Sequence, residues 1–222
     1  MLGWHRIFWF KKREGNLVQA LRKDVVDLDH SWAATNEQFT TQVETLLRLN
    51  YPGIARMTEG DFLAEIEPTR CFFEPGALLV IPPDMVATPA QLRAIGGQYP
   101  ADVAHWRHRD LPPLPTMPFV SLDVDDGQSL SNTSPRNCLA RFKISGRLGL
   151  SVAEGIALFT HRPQLLARGH AVDLPGSLCE HEKEWHVAQL RRQGTGAILT
   201  FRYLWPCSPS SGSASCRARL AP

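Results

Sequence analysis

The stretch WHVAQLRRQGTGAILTFRYLW, residues 185–205, decides the fold class. Its two arms, 185–191 and 197–205, flank Gln193-Gly194-Thr195-Gly196, and the second arm is rich in β-branched and aromatic residues. That pattern reads as a β-hairpin, because such side chains suit a pleated, half-buried surface while the glycines permit the turn.

Working outward, the chain ahead of the hairpin reads mostly as helix. Ser151 and Glu154 stand at the S-x-x-E spacing of a capping box, with Ile156, Leu158 and Phe159 as the apolar residues behind it. Ser134-Pro135 opens another helix, and Pro163 starts a further turn that stops at Gly169. Nearer the N-terminus, Asn36 is a good N-cap for a helix carrying Phe39, Val43, Leu46 and Leu47 on one stripe and ending at Asn50. Thr58 caps a second, with Asp61 answering from its third position and Phe62, Leu63 and Ile66 to bury. Thr88-Pro89 opens one more, closed by Gly96-Gly97. Two apolar runs, 77–81 and 119–124, are too short for helices and read as buried strands. The expected fold is therefore α+β, a small mixed sheet with a C-terminal β-hairpin packed by several helices. Residues 1–35 read as an N-terminal extension, disordered or the product of a start codon placed too early; 36–206 as a single α+β domain; and 207–222 as an irregular tail.

Composition narrows the function classes. With 222 residues, 43% of them hydrophobic, the chain can bury a substantial core. The formal charge of +2 is too small to point to nucleic acid or a membrane by bulk electrostatics. No run of about 18 apolar residues exists, so no membrane span is expected. The opening MLGWHRIFWFKKR places its apolar cluster before its basic one, the reverse of a signal peptide, though its composition suits a membrane surface. Cys71, Cys138, Cys179, Cys207 and Cys216 are odd in number and widely spaced, which reads as reduced thiols and a cytoplasmic location.

Several phrases taken together resemble a family of short, mainly actinobacterial proteins classed as a domain of unknown function. They are QVETLLRLNYPGIARMTEGDF, LDVDDG, SVAEGIAL followed by FTHRP, GSLC and GSASC, in the same order over roughly residues 37–217. The resemblance implies no activity and carries no catalytic residues across. FRYLWPCSPSSGSASC stands where the family pattern has a longer Trp-containing approach to GSASC.

Four stretches carry candidate chemistry. CEHEKEWH, residues 179–186, looks like a zinc-protease helix, but His181 and His186 are five apart, about 140° around a helix, and cannot share a face. A looser zinc site remains if Cys179 and His181 meet Cys207 or Cys216; a charged turn leading into a strand at Trp185 accounts for the same residues. DVDDG, residues 123–127, ends a buried strand, where Asp123, Asp125 and Asp126 are ligand or Mg²⁺ candidates, with a β-turn as the plain alternative. HWRHRD clusters cations around Trp106, so His105 to Arg109 form a weak nucleic-acid candidate against a solvated loop. GSASC lacks the second glycine and the helix of a nucleophile elbow. The leading expectation is a protein that binds a small molecule or a protein partner and has no recognisable catalytic apparatus. The competing one is a small metal-assisted enzyme using Asp123 and Asp125, with His161 or His170 as acid or base.

Overall fold

The computed structural model describes residues 33–100, 107–167, 171–194 and 196–222. Three helices come first: α1 over 33–48, α2 Tyr51–Ala55 and α3 Glu59–Ile66, the last running on as a 3-10 turn, Glu67–Phe72. Thr58 caps α3 as expected, accepting from the Asp61 N–H at 3.1 Å and donating to its carboxylate at 2.6 Å. Asn36 lies inside α1 and does not cap it. Strand β1 Leu78–Val80, helix α4 Thr88–Ala94, strand β2 Arg107–Asp110 and strand β3 Phe119–Leu122 follow. The expected loop at HWRHRD is thus a strand over its described part; His105 and Trp106 lie outside the described residues. Helix α5 Pro135–Ser145, strand β4 Leu148–Gly149, helix α6 Val152–His161 and the short α7 Gln164–Ala167 complete the middle of the chain. Gly169 and His170 lie outside the described residues.

The C-terminal part is β. Strands β5 Ala171–His181, β6 Glu184–Gln193 and β7 Gly196–Tyr203 form an antiparallel meander, of which β6–β7 is the hairpin expected from the sequence. The segment 207–222 departs from expectation, since it holds β8 Ser211–Ser213, β9 Ser215–Cys216 and β10 Ala218–Leu220. Its small residues let backbones meet where side chains would keep them apart: a Cβ on Gly212 would overlap the Gly127 carbonyl. β8 runs parallel to the first residues of β5, while β2 pairs antiparallel with its last residues, so the sheet is mixed. β9 pairs with β4, and β10 joins β1 and β3 in a three-stranded sheet with β3 at its centre.

That central sheet separates two apolar cores. Leu78, Val80 and Phe119 face α6 and the meander, packing with Ile156, Phe159, Leu174 and Leu190. Leu79, Ile81, Val120 and Leu122 face the first helices, packing with Phe39, Leu46, Phe62 and Ile66. Period-2 alternation with both faces buried explains why these strands read as unbroken apolar runs. The outer edge of β1 is closed by side chains. The Leu79 N–H donates to Gln42 Oε1 at 2.8 Å, Gln42 Nε2 donates to the Ala77 carbonyl at 2.8 Å, and His161 Nε2 lies 3.2 Å from the Leu79 carbonyl. Gln42 and His161 stand in for a missing neighbouring strand, leaving these buried peptide groups satisfied.

β5 bends at a register shift between Leu174 and Leu178, with Pro175 and Gly176 in the break. Gly176 lies against β4, where a Cβ would strike Leu150 and the Gly149 carbonyl. At its far end β5 turns into β6 through Glu182 (φ 51°) and Lys183 (φ 66°), both left-handed, with His181 paired to Glu184. Two consecutive positive φ values make a type I′ turn, for which Asn-Gly is far better suited than Glu-Lys. The E182N/K183G variant is therefore expected to gain about 1 kcal/mol in urea unfolding, with an unchanged circular-dichroism spectrum. A loss of stability would show that the turn does not hold this conformation in solution.

Candidate functional site

CEHEKEWH folds as that hairpin tip. Cys179 stands opposite His186 and His181 opposite Glu184, so the strand register joins Cys179 to the histidine the helical spacing had set aside. The His181 and His186 rings lie 6.3 Å apart, and His186 packs on Tyr203 at 4.4 Å. Cys179 is buried, and its thiol is pushed up to about 12 by burial and then by the Asp110 carboxylate. The structure does not bring the four expected zinc ligands together. Cys207 is exposed in the segment after β7, and Cys216 is buried on β9, 3.7 Å from Glu154 Oε1. Burial, then Glu154, pushes the Cys216 thiol up to about 12. Among the described residues no group of three His, Cys, Asp or Glu side chains is placed to hold a metal ion.

At DVDDG the strand ends at Leu122, and Asp123 adopts φ 49°. The alternation that would aim Asp123 and Asp125 the same way is therefore broken. Arg147 binds both the Asp123 carboxylate and its carbonyl at 2.6 Å, and donates from Nε to Ser215 Oγ at 2.9 Å. Asp125 accepts from the Gly127 N–H at 2.7 Å and Asp126 from the Gln128 N–H at 3.0 Å, the self-bonding of Asx turns. Asp125 also bridges by its backbone to Ser215 in both directions, at 2.9 and 3.0 Å. The loop thus fastens the C-terminal strands to β3. In HWRHRD, register places His108 opposite Cys179 and Asp110 opposite Ser177, whose hydroxyl donates to the Asp110 carboxylate and accepts from the Val152 N–H at 2.9 Å.

Two buried ion pairs escaped the sequence reading. Glu154 is fully buried: Oε1 accepts from Ser121 Oγ at 2.6 Å and Arg219 Nε at 2.8 Å, and Oε2 from the Ser151 N–H and Arg219 Nη2, both at 2.7 Å. The capping-box spacing revealed its local half, but nothing local signals an arginine 65 residues later. Asp173, also fully buried, accepts from Gln189 Nε2 at 2.7 Å and stands 3.5 Å from Arg202 Nη1. The first pair ties the last strand, β10, to α6, and the second joins β5 to β7 within the meander.

An open groove lies elsewhere, between α1 and the α3–3-10 segment. A groove of about 510 Å³ is lined on one side by Phe39, Val43 and Leu47 and on the other by Leu63, Ala64 and Ile66. The α1 residues recur at intervals of four, the helical stripe seen in the sequence, and its inner members serve the core while its margin stays open. Arg70 lies over the Phe39 ring at 4.3 Å and pairs with Glu67 at 2.6 Å. Glu44 and Glu67 line the groove, and Glu37, Glu59, Asp61 and Glu65 are exposed on the same helices.

A family model described as a family of unknown function, DUF5701, matches residues 45–187, more than half of the chain. The chain belongs to this family. No curated protein and no solved structure matches the sequence. The part shared with DUF5701 takes in the end of α1, all of α3, the DVDDG turn, the capping box at Ser151 and the β5–β6 tip through His186. Outside it fall β7 to β10 and most of the α1 wall of the groove, including Phe39 and Val43. Among the described residues, no helix is long and apolar enough to cross a membrane.

Proposed function

We propose that this DUF5701 protein is a binding module whose α1–α3 groove takes an amphipathic segment of a protein partner, apolar along one side and cationic at its margins. The observation that carries this reading is the groove itself, an apolar floor of Val43, Leu47 and Leu63 between two helices, with Glu44 and the Glu67–Arg70 pair at its border. Its volume is in the range of ligand pockets, and walls of helical side chains on two sides suit an inserted apolar stripe. Apolar burial would supply affinity at about 25 cal/mol per Å², while the acidic border selects the sign of the partner's charges and speeds encounter. The side chains of DVDDG serve a turn and an ion pair, which leaves the groove as the better-founded site.

The test uses a fluorescein-labelled synthetic peptide of leucine and lysine in amphipathic helical order, and a second in which glutamate replaces lysine. The lysine peptide is expected to bind at least tenfold more tightly in low salt, and Leu63→Lys to weaken it about tenfold while thermal unfolding stays within a few degrees. Equal affinity of the two peptides, or unchanged binding by the folded Leu63→Lys variant, would refute the assignment.

A further inference from the structure

All 22 aspartates and glutamates of the chain lie outside two stretches, 127–153 and 185–222. These two stretches meet at α5. The Arg136 N–H donates to the Leu204 carbonyl at 3.2 Å and the Asn132 N–H to the Ser208 carbonyl at 2.8 Å, which lays the segment after β7 beside the start of the helix. A chain whose total charge is only +2 thus carries a local surface furnished with cations alone. α5 buries Pro135, Cys138 and Phe142 and exposes Arg136, Ala140, Arg141, Lys143 and Ile144. At about 100° per residue, Arg136 and Lys143 stand on one side of Ala140 and Ile144, and Arg141 stands on the other. Of the neighbouring carboxylates, Asp123 is held by Arg147 and Asp173 by Arg202, and among the described residues Arg136, Arg141 and Lys143 have no such pair.

Ile144, in the middle of that arc, is 88% exposed, and Trp205, whose ring centroid lies 3.7 Å from the Arg136 guanidinium carbon, is 65% exposed. Among the described residues they are the two most exposed large apolar side chains. An apolar centre between two rows of cations, with an aromatic at one end, is the pattern of a helix that lies on a lipid surface. We propose that this face of α5, together with Trp205, docks on an anionic lipid surface without crossing it. A phosphodiester backbone would answer the cations but offers nothing to Ile144, whereas the acyl boundary below a layer of anionic headgroups answers both. Ile144 lies about 12 Å along the axis from Arg136, so with the axis parallel to the surface both ends of the face reach it. Each cation near an anionic leaflet strengthens binding about fivefold, and three together about a hundredfold, within a Debye length of roughly 8 Å.

The test is co-sedimentation of the full-length protein with vesicles of phosphatidylcholine alone and of phosphatidylcholine carrying about 30% phosphatidylserine. Binding to the anionic vesicles is expected to be roughly tenfold tighter or more, R141Q/K143Q to weaken it about 25-fold, and Ile144→Ser to weaken it about fivefold. Thermal unfolding of both variants should stay within a few degrees of wild type, because all three positions are exposed. Every protein is compared at full length, so the rest of the chain contributes equally to each. Equal binding to the two vesicle types, or anionic-vesicle binding unchanged in either variant, would overturn the proposal. A fluorescein-labelled single-stranded DNA forms the second arm. Tighter binding to that strand than to the anionic vesicles, lost in R141Q/K143Q and kept in Ile144→Ser, would assign the face to nucleic acid and overturn the lipid docking.

Discussion

Arg219→Met should lower the unfolding free energy by about 3–5 kcal/mol. The wild-type guanidinium supplies two of the four donors within 3 Å of the Glu154 carboxylate, and also donates to the Gly149 carbonyl at 2.9 Å and the Pro112 carbonyl at 3.3 Å. Its removal leaves a buried carboxylate with Ser121, the Ser151 N–H and the Cys216 thiol, all neutral donors. An uncompensated buried charge is far costlier than the absence of the pair, so E154Q/R219M should recover at least half of the loss, since glutamine keeps the shape and can still accept from Ser151. Urea titrations of the wild type, both single variants and the double variant give the coupling energy directly. A loss below about 1 kcal/mol in Arg219→Met would mean that the pair does not secure the C-terminal strand.

This ion pair also illustrates what a single sequence reveals. Capping by Ser151–Glu154, capping at Thr58, the stripe on α1 and the β6–β7 hairpin are written in neighbouring residues, because their physics acts over one turn or one strand pair. The α+β class follows from those elements. β5 was not legible, although it is the longest strand, because Pro175-Gly176 has the composition of a turn and only the crossing of β4 requires a break there. The tail was hidden for a related reason: Gly212 and its serines look like linker, while their smallness is what lets β8 approach the Gly127 turn. Register explains the reversal at the candidate site. Helical spacing set His181 and His186 on different faces, and antiparallel pairing about a two-residue turn instead makes His186 the direct neighbour of Cys179. The groove was half legible, as an amphipathic stripe whose exposed margin could not be told from its buried centre without the second helix.

The second large effect is a dependence of stability on acid that runs through His161. Burial above all holds this imidazole at about 4, below its usual 6.5; the hydrogen bond to Leu79 opposes the shift and Arg162 adds to it. Because a carbonyl only accepts, the proton sits on Nε2 facing the Leu79 oxygen, and Nδ1 is a bare, buried nitrogen with no hydrogen-bond partner. Protonation would add a buried N–H with no acceptor and a charge beside Arg162, at the edge of the central sheet. Between pH 6.5 and about 4 the unfolded chain therefore binds a proton that the folded protein does not. Stability contributed by the neutral ring is complete above pH 6.5 and is lost as the pH falls toward 4, amounting to about 3 kcal/mol across the window. Carboxylates titrate in the same range, so the measurement is the difference between wild type and His161→Gln, whose side-chain N–H can still reach the Leu79 carbonyl. Urea unfolding at half-unit steps from pH 7.5 to 4 should show the wild type losing its advantage over His161→Gln as the solution is acidified, by about 3 kcal/mol in all. Parallel curves would place the acid sensitivity elsewhere and leave His161 as a packing residue of β1 alone.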